Sequence, residues 1–355
     1  MNSSFRAIAV GDFDLPAELI ELDNEILYRR ATSKNSLISN HFNGRQLVVK
    51  THFSTLNYKD ALGVTAQKRV ISRAPLVLGV DLAAEILDVN SNSRQIAFKK
   101  GDLVVAGGLG FGEHFNGGLS EMTALKMSTC FKLPELGDLH DLKKAMFLGT
   151  AGLTAMLCVN EVTASASNSI KRKSAYPVAV TGATGGVGLL SIHLLKNLGF
   201  KVAAITNLNS EKEIILGRYG VDEVIDVNEY ITKKRTLKSQ RFLGAVDAVG
   251  GEVLAELLKD TAYYGCIAST GMVMSDMFTT SLYPFIIRGV KLVGVETIKT
   301  PIRLRRAAFR KLFELVDFNL LAESIVEIGL SSVINYAKRL VDNSVTGRIL
   351  VNCQT

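Results

Sequence analysis

Residues 177–188, Pro-Val-Ala-Val-Thr-Gly-Ala-Thr-Gly-Gly-Val-Gly, are the stretch of this chain whose residue types point most directly to chemistry. Val178 and Val180 are strand formers, and Gly182, Gly185, Gly186 and Gly188 leave the following turn almost without side chains. Such a turn lets the backbone approach a pyrophosphate, whose charge is met by N–H groups at the N-terminus of the next helix. A second strand, Lys201-Val-Ala-Ala-Ile-Thr206, follows a helix ending near Gly199. Strand, glycine turn, helix and strand within about thirty residues form the setting of a dinucleotide site. The plainer alternative is a tight turn in some other α/β domain.

Thr184, Gly185, Gly186 and Val187 are the expected pyrophosphate contacts. The residue closing the second strand selects between the nicotinamide dinucleotides, because an Asp or Glu there binds the ribose 2′-OH and repels a 2′-phosphate. Here the position is Thr206, followed by Asn207, Leu208, Asn209, Ser210, Glu211 and Lys212. Hydroxyls, amides and one lysine suit a phosphate better than a free diol. The expected cofactor is therefore NADP(H), with Thr206, Asn207, Leu208 and Ser210 at its adenosine end.

The elements that must hold this site repeat the same alternation. Val221-Asp-Glu-Val-Ile-Asp226 reads as a third strand after a helix over 211–219, and Gly244-Ala-Val-Asp-Ala-Val249 as a fourth. Gly265-Cys-Ile-Ala-Ser-Thr270 reads as a fifth and Lys291-Leu-Val-Gly-Val295 as a sixth. Six strands with intervening helices predict a doubly wound parallel sheet, a Rossmann fold, over 145–297, with the cofactor across its C-terminal edge. Ser269, Thr270 and Gly271 then approach the nicotinamide ribose, and Thr297 completes the cofactor set. Residues 1–144 have another texture. Runs such as Gln46-Leu-Val-Val-Lys-Thr51 and Asp102-Leu-Val-Val-Ala106 sit between glycine-rich turns and predict a β-rich, partly closed sheet. The tail carries one more strand, Gly347-Arg-Ile-Leu-Val-Asn352, so residues 298–355 are expected to rejoin the first domain.

Composition narrows the class. In 355 residues, 47% are apolar and 21% charged, which fits an ordinary two-domain globular protein and excludes a disordered one. The opening Met-Asn-Ser-Ser-Phe-Arg lacks the apolar core of a signal peptide, and no uninterrupted apolar run predicts a membrane span. Cys130, Cys158, Cys266 and Cys353 are scattered, without a CxxC or ligand-spaced His, as expected of reduced cytoplasmic thiols and no metal site. Cys130 and Cys158 read as inert small apolar residues. The net charge of +7 gathers at Lys171-Arg-Lys173, at Lys233-Lys-Arg235, and at Arg303, Arg305, Arg306, Arg310 and Lys311. No aromatic residues are interleaved with them as a base-stacking platform requires, so nucleic acid is not the expected partner. The clusters are either solvated surface or a seat for the phosphates of a large anionic substrate.

Position in the chain decides between two dehydrogenase clans. Thr181-Gly-Ala-Thr-Gly-Gly-Val-Gly188 also fits the turn of short-chain dehydrogenases, which stands near the start of the chain with a catalytic YxxxK well downstream. Here the turn lies deep in the chain, and Tyr230 to Lys234 comes too soon after it. A β-rich domain, a Rossmann domain and a returning tail match the medium-chain dehydrogenases/reductases instead. Zinc-dependent members need a Gly-His-Glu and a Cys early in the chain. This sequence has Gly79-Val-Asp-Leu-Ala-Ala-Glu85 there, with no His, and no Cys before Cys130.

The chain resembles the acrylyl-CoA reductase/quinone oxidoreductase family of zinc-free medium-chain reductases. The shared stretches are Ser54-Thr-Leu-Asn-Tyr-Lys-Asp-Ala-Leu62, Pro75-Leu-Val-Leu-Gly-Val-Asp81, Gly108–Glu121, Gly149-Thr-Ala-Gly-Leu-Thr-Ala-Met-Leu-Cys158, the glycine turn, and Pro284-Phe-Ile-Ile-Arg288 before the sixth strand. Two stretches depart from the family. Its Ser-Gly-Arg after the second strand is Thr206-Asn207-Leu208 here, and its Gly-Glu-Asn-His-Trp-Gly-Gly is Gly112-Glu-His-Phe-Asn-Gly-Gly118, in a chain without Trp.

The resemblance implies a GroES-like first domain, a homodimer and NADPH-dependent reduction of an activated C=C bond, with a short 2-enoyl-CoA such as acrylyl-CoA as substrate. A quinone is the alternative substrate, and an NADPH-binding protein with a nucleic-acid or partner role is the alternative of another class. Asn57, Tyr58 and Asp60 are the implied catalytic and nicotinamide-side residues. Tyr58 either packs on the cofactor, donates a proton or hydrogen bond, or is an ordinary half-buried tyrosine. Thr150 either bonds the cofactor or caps its helix. Arg288 either steers a thioester or pairs with a surface carboxylate. Glu113 and His114 are either an acid–base pair or part of a structural turn.

Overall fold

Short runs of Val, Ala and Ile bounded by glycines become strands buried on both faces, and they order the second half of the chain. The computed structural model describes residues 4–28, 45–91, 97–166, 176–231, 237 and 239–355. The basic runs 171–173 and 233–235 and Lys234 lie outside the described residues. The chain divides into two units. One comprises Met1–Thr150, Thr297–Glu314 and Leu321–Thr355, and the other Ala151–Glu296 and Leu315–Leu320.

In the second unit six parallel strands stand in the order Glu223–Asp226, Val202–Thr206, Val178–Thr181, Gly244–Asp247, Cys266–Ser269 and Lys291–Gly294. This is the 3-2-1-4-5-6 order of a dinucleotide-binding sheet. The central strands are buried but for the half-buried Ser269, and the two edge strands are partly exposed. Continuous apolar runs of this kind belong to parallel sheets covered on both faces. Ala179, Ala203 and Ile205 pack with Phe242, Val253 and Leu257 in one core. Each fully buried Val, Ile or Leu side chain contributes roughly 1.5–3 kcal/mol.

Several strands end inside their expected runs, because side chains take backbone N–H groups that a longer strand would use. Thr181 Oγ1 accepts from Ala248 N at 3.0 Å, and Asp247 Oδ1 accepts from Val249 N and Gly250 N at 3.2 Å each. At the start of the third strand, Asp222 Oδ2 accepts from Val202 N at 2.8 Å and pairs with Lys196 at 2.7 Å, so the strand begins only at Glu223.

The first unit holds two sheets. Glu18–Asp23, Ser4–Val10 and Leu76–Val77 form a three-stranded sheet. The larger sheet runs Ile325–Gly329, Arg348–Asn352, Arg45–Thr55, Asp81–Ser91, Leu103–Gly107 and Cys130–Phe131, with Met122–Lys126 also pairing to Arg45–Thr55. Register shifts between Val48 and Val49 and between Thr51 and Phe53 bend the long central strand, as bulges do. The tail strand pairs antiparallel with the end of that strand, Leu350 opposite Thr55 and Val351 opposite Ser54. A cluster around Ile8, Leu76, Leu78, Leu330, Val333 and Ile349 ties the tail to the N-terminal strands.

Two segments depart from the expected division of the chain. Residues 145–150 belong to the first unit, because Thr150 bonds Asp81 through both its N–H and its hydroxyl. Residues 315–320 belong to the second, where Asn197 Nδ2 donates to Leu315 O at 2.7 Å and His193 Nε2 accepts from Asp317 N at 3.0 Å. The sequence showed no membrane-length apolar run, yet the helical stretch Leu139–Ser165 reaches that length and hydropathy. Most of it is buried in the protein, and it is broken at Gly149 (φ 50°, ψ −154°).

The helix Gly186–Asn197 tests how closely this fold is built. A Cβ on Gly188 would strike the carbonyl oxygen of Gly182 and come within 2.7 Å of Ala183 Cα, both rigid backbone. Gly217, in the helix Ser210–Arg218, meets nothing within 4 Å. In urea titrations, Gly188→Ala is expected to lose about 1–3 kcal/mol of stability. Gly217→Ala is expected to be neutral or to gain up to about 1 kcal/mol.

Candidate active site

The glycine turn is shaped as a cradle. Gly182 takes a positive φ of 56°, and Gly185 N donates to Gly182 O at 2.9 Å. Gly185 then caps the helix Gly186–Asn197 with no side chain in the way. The first N–H to turn back into that helix is Leu189's, on Gly185 O at 3.0 Å. Those of Gly186, Val187 and Gly188 therefore point out of the N-terminus, where an anion is favoured. This backbone fits a pyrophosphate. Thr184 and Thr206, both buried, bring their hydroxyls to 3.3 Å and join the turn to the end of the second strand. Beyond Thr206, Asn207 and Ser210 are exposed, and Leu208 N donates to Asp226 Oδ2 at 3.0 Å.

The polar groups after the fifth strand are tied into the sheet. Asp247 is fully buried; its Oδ1 accepts from Thr181 Oγ1 at 2.7 Å and its Oδ2 from Ser269 Oγ at 2.8 Å. Thr270 donates its N–H to Asp247 O at 2.8 Å and its hydroxyl to Val295 O at 3.0 Å. Gly271 is forced by close backbone packing, since a Cβ there would strike Ala248 O. Ser269 and Thr270 thus spend their hydroxyl hydrogens within the fold and face any ligand only as acceptors. Thr297 lies in the first unit, where its carbonyl accepts from Arg305 Nη2.

In the first unit the residues Asn57, Asp60 and Thr150 converge on a carboxylate the sequence did not single out, Asp81. Its Oδ2 accepts from Thr55 Oγ1 (2.7 Å), Asn57 Nδ2 (3.0 Å) and Thr150 N (2.9 Å), and its Oδ1 accepts from Thr150 Oγ1 (2.6 Å). Asn57 also donates to Thr55 Oγ1 at 2.8 Å and to Asp60 Oδ2 at 3.1 Å. Asp60 closes the capping box of the helix Tyr58–Val64, taking Asn57 N at 2.9 Å, while its other oxygen takes Val80 N at 3.0 Å. Asp60 and Asp81 are 4% and 2% exposed, so this is a buried network rather than an open pair of acids.

Arg348, from the tail strand, is buried beside it. A Cβ on Gly149 would come within 2.9 Å of both Arg348 Nη2 and Asp81 Oδ2, so the helix break needs glycine for space as well as for φ. Burial depresses the Arg348 pKa to about 10, against the pull of Asp81 and Asp60. Neither Asp81 nor Arg348 carried a sequence signal beyond lying in a shared stretch or in a strand.

Tyr58, at the first turn of the same helix, is half-buried, and its hydroxyl bonds to no described residue. Thr150 donates both its N–H and its hydroxyl to Asp81 rather than capping its own helix. Glu113 pairs with Lys59 at 2.8 Å and His114 Nδ1 bonds Ser72 Oγ, so these two belong to a structural turn. Arg288 matches neither expectation. It is buried and donates Nη1 to the carbonyls of Lys259 (2.9 Å) and Thr261 (3.1 Å), because both carbonyls lie where a helix ends and need a donor. Arg305 is likewise spent on backbone, at Thr297, Ile298 and Thr300. Burial holds the thiols of Cys130 and Cys158 up at about 12, which makes them poor nucleophiles. Among the described residues no three His, Cys, Asp or Glu side chains gather as metal ligands.

Burial raises the Asp60 carboxyl from 3.8 to about 7, with Asp81 adding to the shift and the N–H groups of Asn57 and Val80 opposing it. A proton held in the folded but not the unfolded chain stabilises the fold below about pH 4, and that stability is lost as pH rises through 7. Urea midpoints at pH 5 and pH 8 should therefore fall further for the wild type than for Asp60→Asn. Equal pH dependence in the two proteins would contradict the shift.

The comparisons with known proteins agree with this geometry. Residues 43–135 match the family model described as alcohol dehydrogenase GroES-like domain, and residues 186–317 the one described as zinc-binding dehydrogenase. The chain is 35% identical to "Probable acrylyl-CoA reductase AcuI" of Escherichia coli (strain K12), over 86% of this chain and 90% of that one. It is 34% identical to "Putative quinone oxidoreductase YhfP" of Bacillus subtilis (strain 168), over 86% and 89%. The crystal structure of the Salmonella enterica yhdH oxidoreductase in complex with NADP superimposes with a TM-score of 0.84 at 31% identity, over 99% of each chain. That of B. subtilis yhfP with NAD bound gives 0.83 at 31%, over 99% and 100%. The chain belongs to the medium-chain dehydrogenase/reductase family.

Proposed function

We propose that this oxidoreductase uses NADPH to reduce a C=C bond conjugated to a carbonyl, with a short 2-enoyl-CoA such as acrylyl-CoA as substrate. The observation that carries this reading is the pyrophosphate cradle at Gly182–Gly188, whose turn opens the helix after the central strand of a 3-2-1-4-5-6 parallel sheet. The relatives named acrylyl-CoA reductase support the substrate. The relative named for a quinone supports the second reading, a quinone oxidoreductase on the same scaffold.

The chain's own residues divide the work. The N–H groups of Gly186 and Val187 hold the pyrophosphate, and Thr184, Thr206 and Asn207 flank the adenosine ribose. When bound, NADPH supplies the hydride. Tyr58 O–H is the donor for the substrate carbonyl or for the proton that follows, since its hydroxyl hydrogen is not spent within the described protein. Stabilising the developing enolate oxygen is where such a donor acts most strongly. Asn57 and Asp60 are positioning residues in this scheme. Asn57 is tied to Asp81 and Asp60 closes the capping box, which together fix the first turn of the Tyr58 helix, and a donor held in place costs little reorganisation during reaction. The scheme needs no metal.

The enzyme is proposed to work in the cytoplasm as a homodimer. Lys291–Gly294 is an edge strand with one side unpaired, and Met277, Leu282 and Ile286, each more than 70% exposed, lie just before it. Exposed edges and apolar side chains of this kind are surfaces a protein covers. Light scattering should give twice the chain mass for the wild type, and Ile286→Asp should shift it toward the monomer. A monomeric wild type would refute the dimer.

Loss of absorbance at 340 nm tests the activity, with acrylyl-CoA, crotonyl-CoA and 1,4-benzoquinone compared side by side under NADPH and NADH. Turnover with acrylyl-CoA and NADPH is expected, and activity on the quinone alone would transfer the protein to the second reading. Tyr58→Phe should lower kcat on the order of a hundredfold with KM little changed. An unaltered kcat would remove Tyr58 from the chemistry.

A further inference from the structure

The helix Ile302–Leu315 carries positive charge that its surroundings do not neutralise. Arg303, Arg306 and Arg310 recur at i, i+3 and i+7, and all three are exposed. That spacing lines them along one face over about 10 Å of helix. Among the described residues Arg303 and Arg306 form no ion pair or hydrogen bond, and Arg310 reaches Glu135 only at 3.7 Å. Lys311, beside them, pairs with Glu314 at 3.1 Å. Like charges four residues apart, as at Arg306 and Arg310, destabilise a helix. Packing does not require them, because Arg305, Phe309 and Leu312 carry the buried face. Leu304 and Ala307 lie exposed alongside the arginines, so the basic face has an open apolar border.

The start of this helix is fastened beside the Asp81 network. Leu109 N donates to Ile298 O at 2.6 Å, and the Arg305 guanidinium bonds the carbonyls of Thr297, Ile298 and Thr300 in the space a Cβ on Gly108 would take. At the preceding residue, Gly107, a Cβ would come within 2.6 Å of Asp81 Oδ1. The three arginines, Asp81 and Tyr58 all belong to the same unit.

We propose that Arg303, Arg306 and Arg310 receive the 3′-phosphate and diphosphate of a CoA thioester substrate, with its adenine against Leu304 and Ala307. The proposal deepens the reading of the chain as a 2-enoyl-CoA reductase and rests on it. A CoA thioester carries its phosphates at the far end of a pantetheine arm, away from the reacting C=C bond. They call for a charged surface outside the Tyr58 and Asp81 cluster but fixed to it. Guanidinium forks match phosphate oxygens in pairs, and their flat faces stack on aromatic rings such as adenine. A quinone has no group that would use this face.

The test compares acrylyl-CoA with acrylyl-pantetheine, which keeps the reacting thioester and lacks the 3′-phosphoadenosine diphosphate. The wild type should favour acrylyl-CoA by about tenfold or more in kcat/KM. The double change Arg303→Ala with Arg306→Ala should lose most of that preference through KM, and Arg303→Glu with Arg306→Glu should lose more. An unchanged preference in both variants would overturn the proposal. An equal loss on both thioesters would make the arginines structural and overturn it as well. Calorimetric titration of acetyl-CoA into the enzyme saturated with NADP+ separates the proposal from the reading beneath it. Binding weakened about tenfold by the double alanine change would sustain the phosphate site even in a chain that reduces neither thioester. A wild type that reduces 1,4-benzoquinone and binds no acetyl-CoA would overturn both.

Discussion

Much of the first unit hangs on one carboxylate. Asp81 opens a long strand, is almost wholly buried, and accepts hydrogen bonds from Thr55, Asn57 and Thr150, the last through both its N–H and its hydroxyl. Those partners come from the end of a strand, the start of a short helix, and the break at Gly149. A buried carboxylate is tolerable only when its lone pairs are filled, and filling them fixes each donor's position. The same constraint explains why glycine stands at 149, where a side chain would collide with Asp81 and Arg348 together. Burial itself holds the Asp60 proton to about pH 7, and the neighbouring Asp81 adds to that shift.

The second unit uses the same device for a different end. Asp247 closes the fourth strand and gathers the hydroxyls of Thr181 and Ser269, from the strands on either side, with the N–H groups of Val249 and Gly250. Three adjacent strands are thereby fixed at the edge where the glycine turn begins. The cradle itself is built from backbone. Its dimensions are set by how near Gly188 lies to Gly182 and Ala183, so it needs few side chains and is held by many buried ones.

The parts of this architecture legible in the sequence are those encoded by local pattern. Val178–Thr181 and Val202–Thr206 read as strands because buried parallel strands are continuous apolar runs, and the glycine turn between them has few other uses. Strand ends were less legible, because Asp222 and Asp247 cut them short through side-chain bonds that spacing does not reveal. The Asp81 network was half visible. Asn57, Asp60 and Thr150 stood in shared stretches, but the acceptor joining them and the buried Arg348 lie far apart in the chain and meet only through strand pairing. Arg288 and Arg305 looked like surface charge and proved to be buried donors to backbone carbonyls, a role that depends on where helices and turns end in space. The choice between NAD and NADP is not decided by likeness either, since similar structures hold one or the other.

The account's central claim is that a dinucleotide held at the glycine turn delivers hydride to an activated C=C bond. NADPH deuterated on each face of C4 in turn, reacted with acrylyl-CoA and followed by mass spectrometry of the thioester, tests this most directly. The account predicts propionyl-CoA carrying one deuterium from one of the two labelled faces and none from the other. Failure to form propionyl-CoA, or its formation without label from either face, would contradict it.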